Sequence, residues 1–240
     1  MTNKEQIIVL HTIRHSDSGV VVQCCSREKG RESLYLHVSQ KNRTRLSDFH
    51  RLSILDTVTF SKGSFMPVIR EYTPACRLEN IRTDVRKSTV AIFLSELLLK
   101  SIREANTESS LYDFLAFSIN MLENLTEGTA NFHLHFMVRF CRFLGIMPTN
   151  DYSPESLFCL PAAKFTVPHM HEEQQALCLT RQESHLLHRL METPASRLGE
   201  ITLTGAARNR FAKEILRYIS YHMGMNIELK SLDVLHEVFN

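Results

Sequence analysis

The hydrophobic period of this 240-residue chain changes once, near Pro74, and that change limits the fold to a strand-built unit followed by a helical one. From Gln6 to about Thr73 the apolar residues fall in five short β-rich runs, IIVLHTIR, GVVVQCC, LYLHV, RLSILDTVTF and SFMPVIREY. Turn-forming clusters separate them: Ser16-Asp17-Ser18-Gly19, Glu28-Lys29-Gly30 and Ser61-Lys62-Gly63-Ser64. Five short strands at this spacing suit a small antiparallel barrel, because closure removes the edges that short strands would otherwise expose. Strand number alone leaves OB-like and SH3-like barrels both open.

Beyond Pro74 the period is helical. Val85, Ile92, Phe93, Leu97 and Ile102 share a segment that Asp84 can cap, and Leu111, Phe114, Leu115, Ile119, Leu122 and Leu125 form a second stripe capped by Ser109 or Ser110. Phe132, Phe136, Phe140 and Phe143 line a third helix that ends at Gly145 with Pro148 beyond. Residues 146–179 hold four of the seven prolines and interrupt the helices, and LFCLPAAKFTV within them reads as a hairpin. Helical signal returns at Thr180, where Thr180 and Glu183 make a capping box. A long helix is expected from Gly205 to Met223 with Gly224 as its stop, then a short one capped by Ser231. The expectation is an α+β chain of two domains, a barrel over residues 1–78 and an all-helical domain over 79–240 with a hairpin-like insertion at 146–179.

Several function classes lack their sequence requirements. Phosphate-cradling motifs, a G-x-S-x-G nucleophile turn and H-E-x-x-H are all absent, and eight glycines are few for a nucleotide-binding fold. No enzyme and no small-molecule substrate are expected. The insertion carries zinc-ligand chemistry in Cys159, His169, His171 and Cys178, but not the C-x₂₋₄-C or H-x₃₋₅-H knuckles of structural sites, so no cofactor is expected. The six cysteines should stay reduced, with Cys24, Cys25 and Cys141 as buried thiols. No apolar run reaches the roughly 20 residues of a membrane span, and Arg14 arrives too early for a signal peptide, which implies a cytoplasmic protein and no membrane partner.

Charge is distributed unevenly. Residues 1–80 hold 12 Lys and Arg against 8 Asp and Glu, while the remainder holds 16 against 18. The excess peaks in KNRTRLSDFHR, residues 41–51, where Lys41, Arg43, Arg45 and Arg51 face only Asp48. Cations beside barrel strands are how small β-barrels hold a phosphate backbone, although a solvated charge run has the same composition. With Arg27, Lys29 and Arg31 at and after the preceding turn, these are the candidate nucleic-acid contacts, and Tyr35 and Phe49 are candidate stacking rings. On the third helix, Phe136, Phe140 and Phe143 with Arg139 and Arg142 read either as a bundle helix with solvated charges or as a groove for an acidic, apolar peptide end.

Taken in order, four stretches resemble the RecO family of bacterial recombination mediators. IVLHTIRHSDSGVVVQCCSREKGRESLYL is similar to the family's first strands, with its Ser26-Arg27-Glu28-Lys29-Gly30 turn. FLSELLLKSIREANTESSLYDFLAFSINML resembles its helix pair, HFMVRFCRFLGIMP its third helix, and RYISYHMGMNIELKSLDVL its last helix with Lys230, Ser231 and Leu232. The resemblance implies an N-terminal OB-fold that binds single- and double-stranded DNA, a helical C-terminal domain and no nucleotide hydrolysis. It further implies strand annealing, binding of the acidic tail of single-stranded-DNA-binding protein, work with RecR to load RecA, and a nucleoid-associated location.

Three features depart from the family pattern. HVSQKNRTR keeps the cations but not the Lys-Gly that follows the third strand. Only Cys159 and Cys178 remain where many members have a four-cysteine zinc module, which implies a zinc-free hairpin. Leu134 and His135 occupy the positions before Phe136 where members place an arginine, leaving Arg139 or Arg142 to substitute.

Overall fold

The computed structural model describes residues 1–38, 46–63, 65–102, 109–167 and 177–240, which divide into two compact units, Met1–Asn124 and Leu125–Asn240. The first unit is built on five strands, β1 (Thr2–Ser16), β2 (Gly19–Ser26), β3 (Gly30–His37), β4 (Ile54–Phe60) and β5 (Val68–Pro74). They close into a barrel in the order β1-β2-β3-β5-β4. β3 and β5 run parallel while the other neighbours are antiparallel. This closure makes the barrel OB-like, which strand number could not decide.

Alternation places Ile7, Val9, Val22, Cys24, Leu34, Leu36, Leu55 and Ile69 in the barrel interior. β1 departs from simple alternation, since Ile8 and Leu10 are buried as well. A helix covers that second face: α2 (Val85–Ser101) packs against β1. The unit also contains α1 (Glu79–Thr83) and α3 (Ser109–Asn124). The period therefore changes near residue 78, but the first compact unit ends at Asn124, so it includes these helices as well as the barrel.

Asp84 caps α2 as its position predicts, accepting from the backbone N–H groups of Arg86 at 2.7 Å and Lys87 at 3.4 Å. Glu123 does a similar task across the chain. Its buried carboxylate accepts from Asn80 N–H and Ile81 N–H, both at 2.9 Å, and so satisfies the first donors of α1.

The second unit holds α4 (Thr129–Phe140), the hairpin β6 (Leu157–Cys159) and β7 (Lys164–Thr166), α5 (Arg181–Glu192), a 3-10 turn at Ala195–Glu200, α6 (Gly205–Met223) and α7 (Ser231–Val238). α4 packs on α5, α6 and the 3-10 turn. The hairpin forms where LFCLPAAKFTV predicts it, with Phe158 opposite Phe165. The Thr180–Glu183 capping box is present, and Gly224 takes the left-handed conformation that ends α6. Ser231 differs from expectation. It is the first residue of α7, and Lys230 stands at the cap position, where its side chain makes no capping bond.

Candidate nucleic-acid interface

The turn between β2 and β3 shows why cation number is a poor guide to a binding surface. Ser26 Oγ accepts from the N–H groups of Glu28 and Lys29, each at 3.3 Å, and donates to Glu5 Oε2 at 2.5 Å, while Gly30 provides the left-handed backbone that starts β3. The turn's cations have partners within the unit. Lys29 Nζ lies 2.7 Å from Glu5 and 3.5 Å from Glu32. Arg31 donates to the Leu99 carbonyl at 2.7 Å, and Arg27 pairs with Asp113 at 2.8 Å beneath the Tyr112 ring. Arg51 likewise turns inward toward the Leu10 carbonyl at 3.4 Å, where burial lowers its pKa. All four cations thus have partners within the unit, while Arg27 and Lys29 remain exposed.

The same network contains a pH-sensitive carboxyl. Burial and the neighbouring Glu5 charge push Glu32 up to about 7, and its Oε1 is buried without a hydrogen-bond partner. Because this folded value lies above the ordinary carboxylate value, Glu32 contributes fully at low pH, and that contribution is lost as pH rises through about 7. Glu32→Gln is thus expected to stabilise the protein by roughly 1–3 kcal/mol at pH 8 and by little near pH 5. Urea unfolding at the two pH values checks this, and an equal change at both would refute it.

Of the principal basic tract, Lys41, Arg43 and Arg45 lie outside the described residues. Phe49, expected as a stacking ring, is a core residue instead. It is 3% exposed and meets Tyr72 edge to face at 4.6 Å, so it presents no face to a base. Base stacking requires an exposed ring.

Tyr35 is placed differently. Leu34 and Leu36 point inward, which turns Tyr35 to the outer wall, and direct pairing carries that face across all five strands as Ile13, Val21, Tyr35, Val68 and Phe60. All five are exposed or partly buried. Tyr35 lies across Gly19, where an added Cβ would sit 1.8 Å from its hydroxyl oxygen, so glycine makes room for the ring. His37 and His15 meet its edges at 4.8 and 6.0 Å. Arg70 stands 5.5 Å over the Phe60 ring at the other end of the row. The result is an apolar and aromatic stripe with imidazole and guanidinium groups beside it. β3 ends at His37, and in sequence the basic tract begins four residues later. Sequence reasoning missed His15, His37, Phe60 and Arg70; strand parity was the available signal, but it needed the register to bring the residues together.

The peptide groove expected on α4 changes more. Phe136 and Phe140 are stacked at 5.7 Å and are 2% and 0% exposed, which makes them core and removes them as groove-lining residues. Arg139 donates to the Met191 carbonyl at 2.7 Å. Arg142 is exposed and Phe143 partly so. His133 is driven down to about 3 by complete burial and by Arg208, and His135 to about 4 by burial and Arg139.

His169 and His171 lie outside the described residues. Cys159 and Cys178 face each other across an isolated bridge with no disulfide between them, and Cys178 is pushed up to about 11 by burial and its neighbour. Among the described residues no group of three or more His, Cys, Asp or Glu is placed to hold a metal. No described helix is long and apolar enough to cross a membrane.

Comparison with known proteins gives a consistent answer over the full length. A family model described as Recombination protein O C terminal matches residues 82–233. The chain is 31% identical over 254 residues to a protein of Phocaeicola vulgatus named DNA repair protein RecO, with 100% of both chains covered. Proteins of the same name from Azobacteroides pseudotrichonymphae and Flavobacterium psychrophilum are 28% and 29% identical, again with 100% of both covered.

Proposed function

Because the chain belongs to the RecO family of DNA repair proteins, we propose that its barrel binds single- and double-stranded DNA and that the protein anneals complementary strands as a recombination mediator. The outer-wall aromatic stripe at Tyr35 supports this reading, together with the cationic sequence of Lys41, Arg43 and Arg45. In it residues 1–78 are the DNA-binding domain, and residues 79–240 serve protein partners. Those partners are RecR, with which it helps load RecA, and the acidic tail of single-stranded-DNA-binding protein. Its chemistry is screening and alignment, with no bond broken: cations reduce repulsion between two phosphate backbones long enough for bases to pair.

An annealing assay tests the central claim. Complementary strands precoated with the cognate single-strand-binding protein should anneal faster when this protein is added, with the gain shrinking as salt rises. No acceleration at low salt would overturn the proposal and favour a protein-only adaptor.

For the acidic tail, burial of Phe136 and Phe140 leaves Arg142 and Phe143 as the accessible pair on this helix end. Arg142→Glu is expected to weaken binding of a peptide with an acidic, aromatic end by about 10-fold or more, since one charge-assisted bond becomes a repulsion. Calorimetry giving equal affinity for the two proteins would remove Arg142 from the site.

A further inference from the structure

The last residue of β6, Cys159, stands opposite Cys178 in an isolated antiparallel bridge. The neighbouring backbone bonds define what kind of pair this is. Leu160 N–H donates to the Leu177 carbonyl at 3.0 Å, and Leu179 N–H donates to the Phe158 carbonyl at 2.9 Å. Both bonds flank the cysteines and neither joins them, so Cys159 and Cys178 form a non-hydrogen-bonded pair. Such pairs bring Cα atoms to about 4.5 Å, inside the window of roughly 4.4–6.8 Å that a disulfide requires.

Side chains and surroundings agree with the backbone. The two side chains lie close enough to interact, the Cys159 thiol helping to raise the pKa of Cys178. Both residues are partly exposed, whereas Cys24, Cys25 and Cys141 are buried. The frame around them is packed: Phe158 N–H donates to Ser184 Oγ at 2.9 Å, and the Phe158 ring contacts Phe165 and Tyr218. Bridging them therefore needs side-chain rotation and no backbone rearrangement.

We propose that Cys159 and Cys178 are a redox modification site, closing to a reversible disulfide with hydrogen peroxide as oxidant. The deprotonated Cys159 sulfur attacks one peroxide oxygen, the O–O bond breaks, and the departing hydroxide leaves as water with the thiol's proton. Cys159 is then a sulfenic acid. The Cys178 sulfur gives up its proton and attacks the Cys159 sulfur, forming the S–S bond while the S–O bond breaks and a second water leaves. Two thiols lose two electrons in total, and the peroxide gains them. A dithiol reductant reverses the change.

Peptide mapping of the full chain tests this. The protein is exposed to a small excess of peroxide, denatured, alkylated and analysed by mass spectrometry without reduction. Alkylatable thiols should fall by two from six, with the Cys159 and Cys178 peptides linked and dithiothreitol restoring both. Cys159→Ser and Cys178→Ser should each abolish the paired loss, with circular dichroism confirming their fold. If a variant does not fold, the map of the unaltered chain still decides. A link to another cysteine, over-oxidation of Cys159 without a link, or reaction only after a chelator strips metal from the thiols would each overturn the assignment.

Discussion

Replacing Lys41, Arg43 and Arg45 together by alanine is expected to weaken DNA binding by roughly 100-fold or more at low salt and to flatten its salt dependence. Each phosphate contact releases condensed counterion and contributes about 0.9 to the slope of log affinity against log salt on duplex DNA, and about 0.7 on single strands. Three lost contacts should therefore reduce the slope by about two to three, with little preference among sequences. Fluorescence anisotropy with labelled single- and double-stranded oligonucleotides across a salt series measures both quantities. Unchanged slopes would remove the tract from the DNA site. Arg31→Ala makes a contrasting control: Arg31 holds the Leu99 carbonyl at 2.7 Å, so its loss should lower stability more than it changes the slope.

The largest stability effect is expected in the second unit, where Arg208→Met should cost about 3–4 kcal/mol. Arg208 is 8% exposed, and its guanidinium donates to Asn131 Oδ1 at 3.1 Å, the Leu203 carbonyl at 3.1 Å and the Phe239 carbonyl at 3.0 Å. Removing it leaves three acceptors without their donor, each carrying a desolvation penalty of roughly 1–3 kcal/mol that entering water only partly offsets. Asn131 extends the effect, because its Nδ2 holds the Leu198 and Ile201 carbonyls at 3.1 and 2.6 Å. Arg208→Lys should recover little, since an ammonium cannot span three acceptors arranged around a planar fork. Urea unfolding measures the loss, and a change below about 1 kcal/mol would show that the network contributes little net stability.

Much of the architecture was legible because its signals are local. Asp84, the Thr180–Glu183 capping box and Gly224 each act within one helical turn, so residue type and spacing suffice to read them. Ser231 misled for a related reason: a serine before an apolar run has capping chemistry, but the backbone entered the helix one residue earlier. The site was less legible. Arg27, Lys29, Arg31 and Arg51 carry the same charge in sequence as Lys41, Arg43 and Arg45, yet each of the four meets a partner far along the chain, as Arg31 meets Leu99 and Arg51 meets Leu10.

Taken alone, the sequence determined the change from strand to helix, the helix ends, the N-terminal cationic excess and the absence of familiar catalytic motifs, all properties of residues close in the chain. Tertiary structure decided which barrel closes and which of two possible faces each residue takes. Alternation assigns side chains to opposite faces but cannot say what covers either one. Packing by α2 buries Ile8 and Leu10, Phe49 turns into the barrel core, and Phe136 and Phe140 disappear into the helical core. Only the pairing of Tyr35 with Val21 and Val68 places that ring in the stripe on the barrel's outer wall.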